Sequence, residues 1–333
     1  MKSKINWLLI LLLLPSLESW GQISLASNVD HTTQAVSQVP ASKEKQEIVL
    51  VTGVRFSYPL VQQWIDEYAT VNEEVQIVVE SRGTTDPAKY DMLIEAYPHD
   101  EQFSKSREYV YLARYAVLPV ANNTSAFART YADKGLDKKL ITQLFFHNIY
   151  ADKDKEQKIA APYTVYTRLQ KAGSPIVFSS YFGYDQKDIK GKAVAGADEH
   201  LLKAILRDST AISYLPLSLI YDQTSGKPVS GLSVLPVDLN NNGRVSEEEK
   251  IFDDLSVVLK YLEEKSPKER SNIPVEYLHL SVDKRNASPE AIAFIRWVLQ
   301  NKLGELHDYG FLQAEPSRLT KENFERFASK YGQ

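Results

Sequence analysis

The chain has 333 residues, 43% hydrophobic and 11% aromatic, with 19 tyrosines, no cysteine and a formal net charge of −4. That balance supplies a sizeable core and disfavours nucleic acid and anionic membrane surfaces as partners. The lack of cysteine rules out disulfides, thiol catalysis, cysteine metal sites and a cysteine-linked lipid anchor.

The first residues read as an export signal. Lys2 and Lys4 precede an apolar run from Trp7 to Leu14, and Ser19-Trp20-Gly21 places small residues where a signal peptidase needs them, before Gln22. The run is too short to span a bilayer. Cleavage there removes Lys2, Lys4 and Glu18 and moves the net charge from −4 to −5. Residues 1–21 are therefore expected to be a signal peptide and residues 22–46 a polar, flexible leader. The mature protein is expected to be soluble, periplasmic and monomeric.

Order is expected from Glu47. Ile48 to Val51 reads as a buried strand, and Val61, Trp64, Ile65 and Tyr68 recur at helical spacing. Strands follow at 75–79 and 91–96. The stretch 109–120 is long and β-rich, and Pro119 puts it at an edge or a crossover. Helices are expected at 136–146, 176–182 and 200–206, then strands at 211–214 and 277–282. Ser288 caps and Pro289 starts a helix ending near Leu303. A last helix, 320–331, carries Phe324, Phe327 and Tyr331. Strands alternating with helices predict an α/β fold with mainly parallel sheets.

Residues 238–249 spell a calcium loop. Oxygen side chains stand at loop positions 1, 3, 5 and 9 (Asp238, Asn240, Asn242 and Ser246), and Arg244 at position 7 offers its carbonyl. Gly243 marks the sharp turn, Val245 is an apolar anchor, and Glu249 closes position 12 with a carboxylate. The alternative is an Asn-Gly turn before an acidic helix start. The incoming chain, 231–237, reads as extended, and only the outgoing side, 247–264, as helical. A loop with one helix and two formal charges predicts a structural, weakly held Ca2+.

Three helix starts share one grammar: Ser57-Tyr58-Pro59, Thr84-Thr85-Asp86-Pro87 and Gly173-Ser174-Pro175. Each places a hydroxyl near the N-cap and proline at the first turn. Arg55, Arg82 and Arg168 lie close to these starts. In a parallel α/β sheet helix starts crowd the carboxyl ends of strands, where their free N–H groups suit an anion. The bland alternative is three ordinary helix starts with solvated arginines.

These segments together resemble the periplasmic substrate-binding proteins of phosphate ABC transporters, in a subfamily with an EF-hand-like loop. The resemblance rests on Gly53 to Trp64, on Glu80 to Asp86, on Leu112 to Phe127, on Val165 to Gly183, and on Ile273 to Val282 with Tyr309 to Gln313. It implies a two-lobed α/β fold of the type II periplasmic binding protein kind with two crossover strands. Lobe 1 would hold residues 47–118 and 226–320, lobe 2 residues 119–225, and residues 321–333 a C-terminal helix. It also implies a ligand set of Arg55, Phe56, Ser57, Thr84, Arg168, Gly173 and Ser174. The match is partial: Arg55 replaces a hydroxyl, Ala172-Gly173-Ser174 stands where the family has Ser-Gly-Thr, and the expected carboxylate after the third strand falls at Ala96, one step from Glu95.

Other chemistry finds no support. The six histidines lack zinc spacing, and no Gly-x-Ser-x-Gly elbow or P-loop is present. The sequence therefore predicts a binding protein, not an enzyme. It would take a small oxyanion, phosphate first, with an inner-membrane permease as partner. The rival expectation is a ligand-free or retuned fold serving a periplasmic or outer-membrane assembly.

Overall fold

The structure is a computed structural model that describes residues 47–81, 86–97, 105–147, 157–240, 242–266 and 272–315, with 325, 328 and 329. Its strands are β1 (Glu47–Gly53), β2 (Val75–Val79), β3 (Met92–Glu95), β4 (Arg107–Asn122), β5 (Thr164–Arg168), β6 (Lys192–Val194), β7 (Ala211–Pro216), β8 (Leu232–Val234), β9 (Val275–Asp283) and β10 (Leu312–Gln313). Among the described residues they form one ten-stranded sheet in the order β2-β1-β3-β9-β4-β7-β5-β6, with β8 and β10 also pairing β4.

The sheet is mixed, not mainly parallel. β1 runs parallel to β2 and β3, and β5 runs parallel to β6 and β7. β4 and β9 supply the antiparallel pairs that join these sets. Both are long enough to cross the molecule. Residues 107–116 of β4 pair β9, and residues 117–121 pair β7. Pro119 sits in this crossover, in register with Tyr214, where its missing N–H is tolerated. β8, expected in the first lobe, pairs instead with residues 120–122 of β4, so the chain returns to the first half only at β9. The fold is the two-lobed type II periplasmic binding protein fold.

The helices are α1 (Tyr58–Val71), α2 (Ala126–Tyr131), α3 (Lys138–Phe145), α4 (Gly173–Tyr181), α5 (Asp198–Arg207), α6 (Leu217–Ile220), α7 (Leu255–Glu264) and α8 (Pro289–Asn301). Each longer helix buries one face. Leu60, Val61, Trp64, Ile65 and Tyr68 of α1 face inward, as their spacing predicts. α8 starts where Ser288 accepts a hydrogen bond from the Ala291 amide at 3.1 Å. Aromatic rings bind the two halves to their helices. Phe178 of α4 stacks on Tyr214 of β7 with centroids 4.5 Å apart, and Phe56 packs on Tyr115 of β4 at 5.0 Å.

The helix expected over 247–264 is broken. A single 3-10 turn at Glu247–Glu249 is followed by irregular chain, and α7 starts afresh with Asp254 accepting from the Ser256 amide. The Tyr221 hydroxyl ties down the intervening Phe252 carbonyl at 2.8 Å. The last expected helix lies mostly outside the described residues; Glu325, Ala328 and Ser329 are helical within it. Among the described residues no helix is long and apolar enough to cross a membrane.

Candidate functional site

The carboxyl ends of β1, β3, β5 and β6 face one cavity of about 630 Å³. Its first wall is Thr52 to Arg55 with Pro87, Tyr90, Leu93 to Glu95 and Tyr97. Its second wall is Arg168 with Gln170 to Gly173 and Gly196 to Asp198. Strand ends in an open α/β sheet are where ligands bind, because the loops there are free to differ while the sheet holds them.

Three of the residues expected to bind ligand line this cavity: Arg55, Arg168 and Gly173. Arg55 donates to the Ser81 carbonyl from the edge of β1. Arg168 ends β5 and reaches Asp198 with one terminal nitrogen at 2.9 Å, while its Nε has no partner among the described residues. Gly173 is the first residue of α4, where a helix start leaves the Gly173 and Ser174 amides, ahead of Pro175, without intrahelical partners.

Three others stand behind the walls. Phe56 is a core residue, packed between the tilted Tyr115 ring and the stacked Phe311 ring. Ser57 is fully buried and its hydroxyl donates to the Val54 carbonyl at 2.7 Å, closing the turn that starts α1. Ser174 is fully buried too, and its hydroxyl donates to Asp198. Thr84, with Arg82, lies outside the described residues.

The two halves touch around the cavity. Across it the Lys171 ammonium lies over the Tyr97 ring, 5.7 Å from its centre, and within the first half the Tyr115 hydroxyl donates to the Ala96 carbonyl at 2.5 Å. Burial pushes the Tyr115 phenol well above its ordinary value, with Glu276 and Asp198 adding to the shift, so it remains a donor. Burial also raises the Tyr97 phenol, and the Glu95 charge adds to this.

Glu95 belongs to the cavity wall and to a buried charge network. It accepts from the Ser281 hydroxyl at 2.5 Å, and Arg107 donates through Nε to that hydroxyl at 2.8 Å and through a terminal nitrogen to the Ser281 carbonyl. Burial lowers the Arg107 pKa, and the Glu95 and Asp283 charges oppose that shift. Glu95 is therefore held by Ser281 of β9, which Arg107 of β4 braces in turn.

Sequence reasoning missed Asp198, Lys171, Tyr90 and Tyr97. An acid in the first turn of a helix reads as a partner of the helix dipole. Nothing in the local pattern says that its carboxylate meets an arginine thirty residues away. The Gly196-Ala197 turn before it was the one available signal.

The calcium-loop residues come together around a tight turn. Asp238 is buried and accepts from the Asn242 and Gly243 amides at 3.1 and 2.7 Å. Asn240 accepts from the Asn242 amide, and Asn242 from the Arg244 amide. Gly243 turns at φ +85°, a conformation that favours glycine. Val245 is buried against Gly135. Glu249 closes the loop: one oxygen accepts from the Leu239 and Asn240 amides, the other from the Ser246 amide and hydroxyl. Among the described residues no set of three or more acidic or histidine side chains gathers as for a metal. The donors nevertheless fit a hard cation in type, since all are oxygens. An ion gripped by Glu249 has to share those oxygens with the loop amides.

No protein-family profile matches the sequence, and no curated protein matches it. Solved structures share its fold. A Clostridium perfringens protein, named as a phosphate ABC transporter substrate-binding protein and solved with bound phosphate, aligns with a TM-score of 0.60 at 14% identity, over 81% of this chain and 100% of its own. An ABC-type phosphate transport receptor from Vibrio cholerae aligns with a TM-score of 0.53 at 12% identity, over 80% and 100%. A protein from Planctomyces limnophilus, described as a possible phosphate binding protein, aligns with a TM-score of 0.50 at 14% identity, over 86% and 99%.

Proposed function

We propose that this chain is a solute-binding protein of the periplasm, not an enzyme, that captures a small anion between its lobes, with phosphate the first candidate. An inner-membrane ABC permease would take the ligand from it. One observation carries the reading: Arg55, Arg168 and Lys171 converge with the open end of α4 on one cavity at the carboxyl ends of the strands. Three cationic side chains and free helix amides in a part-buried cavity suit an oxyanion. The solved structures of the same fold named above are described by their phosphate binding or transport, which supports the same ligand class. Isothermal titration of the mature protein with millimolar phosphate, sulfate and molybdate tests it. Heat that saturates with one of them is expected, and no heat with any of them rules the reading out.

A second reading is favoured by Asp198. Its carboxylate already engages Arg168 and Ser174, two of the groups an anion would use. On this reading the fold serves as an interaction module in a periplasmic or outer-membrane assembly. Recovery of envelope proteins but no permease with tagged, crosslinked protein would favour it.

The loop at 238–249 is proposed to hold a structural Ca2+ through Asp238, Asn240, Asn242, the Arg244 carbonyl, Ser246 and Glu249. The ion would supply charge that ties the loop's two ends together. Millimolar calcium should raise the melting temperature, and the double variant Asp238→Ala, Glu249→Ala should abolish that rise. An equal rise in both proteins removes the ion from the account.

A further inference from the structure

The cavity holds an anion of its own. Asp198 has a side chain only 5% exposed, and it sits where Arg168 of the second wall and the buried Ser174 hydroxyl behind that wall converge. Arg168 donates to one of its oxygens at 2.9 Å and the Ser174 hydroxyl donates to the other. Asp198 is also the first residue of α5, a ten-residue helix whose free amides favour negative charge at that end.

The position of this carboxylate is built, not incidental. Gly196 adopts φ +105°, and its amide donates to the Gln170 side chain at 2.9 Å. The next amide, at Ala197, donates to the His200 ring at 3.2 Å. Two side chains from different elements thus pin the turn that delivers Asp198 to Arg168. Gln186 adds a brace, donating to the Gln170 carbonyl at 2.9 Å.

From this arrangement we infer that Asp198 is a tethered competitor for the ligand, and that it sets the affinity and charge selectivity of the anion site. The inference rests on the receptor reading proposed above. A free oxyanion that approaches Arg168 meets a fixed negative charge a few ångströms away in a part-buried space, where like charges repel strongly. Binding therefore requires the anion to displace Asp198 from Arg168 or to make do with Lys171, Arg55 and the α4 amides. A multiply charged anion carries the greater penalty. The site is tuned to a weak grip on a dianion, not to tight scavenging.

The test is titration of inorganic phosphate at pH 8 into the full mature protein and into Asp198→Asn, Ser174→Ala and the double variant, each first shown to melt cooperatively. The asparagine keeps the shape and the acceptor for Arg168 but removes the charge. Asp198→Asn is expected to bind phosphate about tenfold more tightly than the parent. Ser174→Ala alone loosens the hold on Asp198, so phosphate affinity should rise two- to threefold, about the effect of one weakened hydrogen bond. In the Asp198→Asn background the freed hydroxyl can turn to the ligand, so the same substitution should lower affinity. If the parent binds phosphate and Asp198→Asn binds it equally or less well, Asp198 is a positioning partner of Arg168 and the inference is overturned, while the receptor reading stands. If neither protein binds, both fall together. Should Asp198→Asn not fold, the sign of the Ser174→Ala effect decides: a loss of affinity makes Ser174 a direct donor and overturns the inference.

Discussion

Gly173 has no room for a side chain. A Cβ built there would lie 2.7 Å from the Ala96 Cβ and 3.3 Å from both the Ala96 carbonyl oxygen and the Tyr115 hydroxyl. Those atoms belong to the opposite wall, so this glycine lets the halves meet. Gly173→Ala should cost about 1–3 kcal/mol in urea unfolding, as overpacking of a tight contact does; an unchanged midpoint would mean that the contact yields freely. Arg168 has a comparable structural duty. Arg168→Met leaves the Asp198 carboxylate buried without its partner, which should cost about 3–5 kcal/mol and remove phosphate binding. Glu249 gives a pH signature. Burial opposes its ionisation, but the Ser246 amide and hydroxyl and the Leu239 and Asn240 amides together outweigh it, so its pKa lies below the ordinary 4.5. A carboxyl with a depressed folded pKa stabilises the fold above its unfolded value, and that contribution is lost as pH falls through the folded value. Calcium-free parent protein should therefore be more stable than Glu249→Gln at neutral pH, and the gap should close on acidification below about 4.5. A gap that persists into strong acid would assign the effect to shape instead.

At the scale of elements, the readable signals were those written within one segment. The apolar spacing of α1 and the Ser288-Pro289 start of α8 reached the structure as read, whereas β1 is a strand that buries only Val49 and Val51 and leaves Ile48 exposed. The Ser288 cap should be worth about 1 kcal/mol, and Ser288→Ala in a urea titration measures it. What the sequence hid was set by distant partners. β5 (TVYTR) and β6 (KAV) carry no continuous apolar run, and pairing with one another and, for β5, with β7 makes them strands. The sheet is mixed because β4 and β9 cross between halves, a fact of topology that hydrophobic period cannot carry. The break between Glu249 and α7 was hidden because 247–264 keeps a helical apolar pattern, while Asp254 restarts the helix with a cap of its own. The site followed the same rule. Arg55, Arg168 and Gly173 were marked by charge and by a helix start, whereas Asp198 is defined by a contact across thirty residues.

At the scale of the whole molecule, the described residues form one mixed sheet with a cleft between its halves. Two long strands tie the halves together, and the cavity lies where the shorter parallel strands of both halves end. A cation–ring contact already bridges the cleft at Lys171 to Tyr97. Closure of such lobes strips water from a trapped anion and strengthens every contact to it. The decisive observation is where an anion binds. Crystals of the mature protein grown with arsenate, which matches phosphate in shape and charge, would show it by anomalous scattering. One strong arsenic peak is expected in the cavity, within hydrogen-bond distance of Arg168 and the first amides of α4. Arsenic found only on the outer surface, with that cavity holding water and the Arg168–Asp198 pair intact, would contradict it.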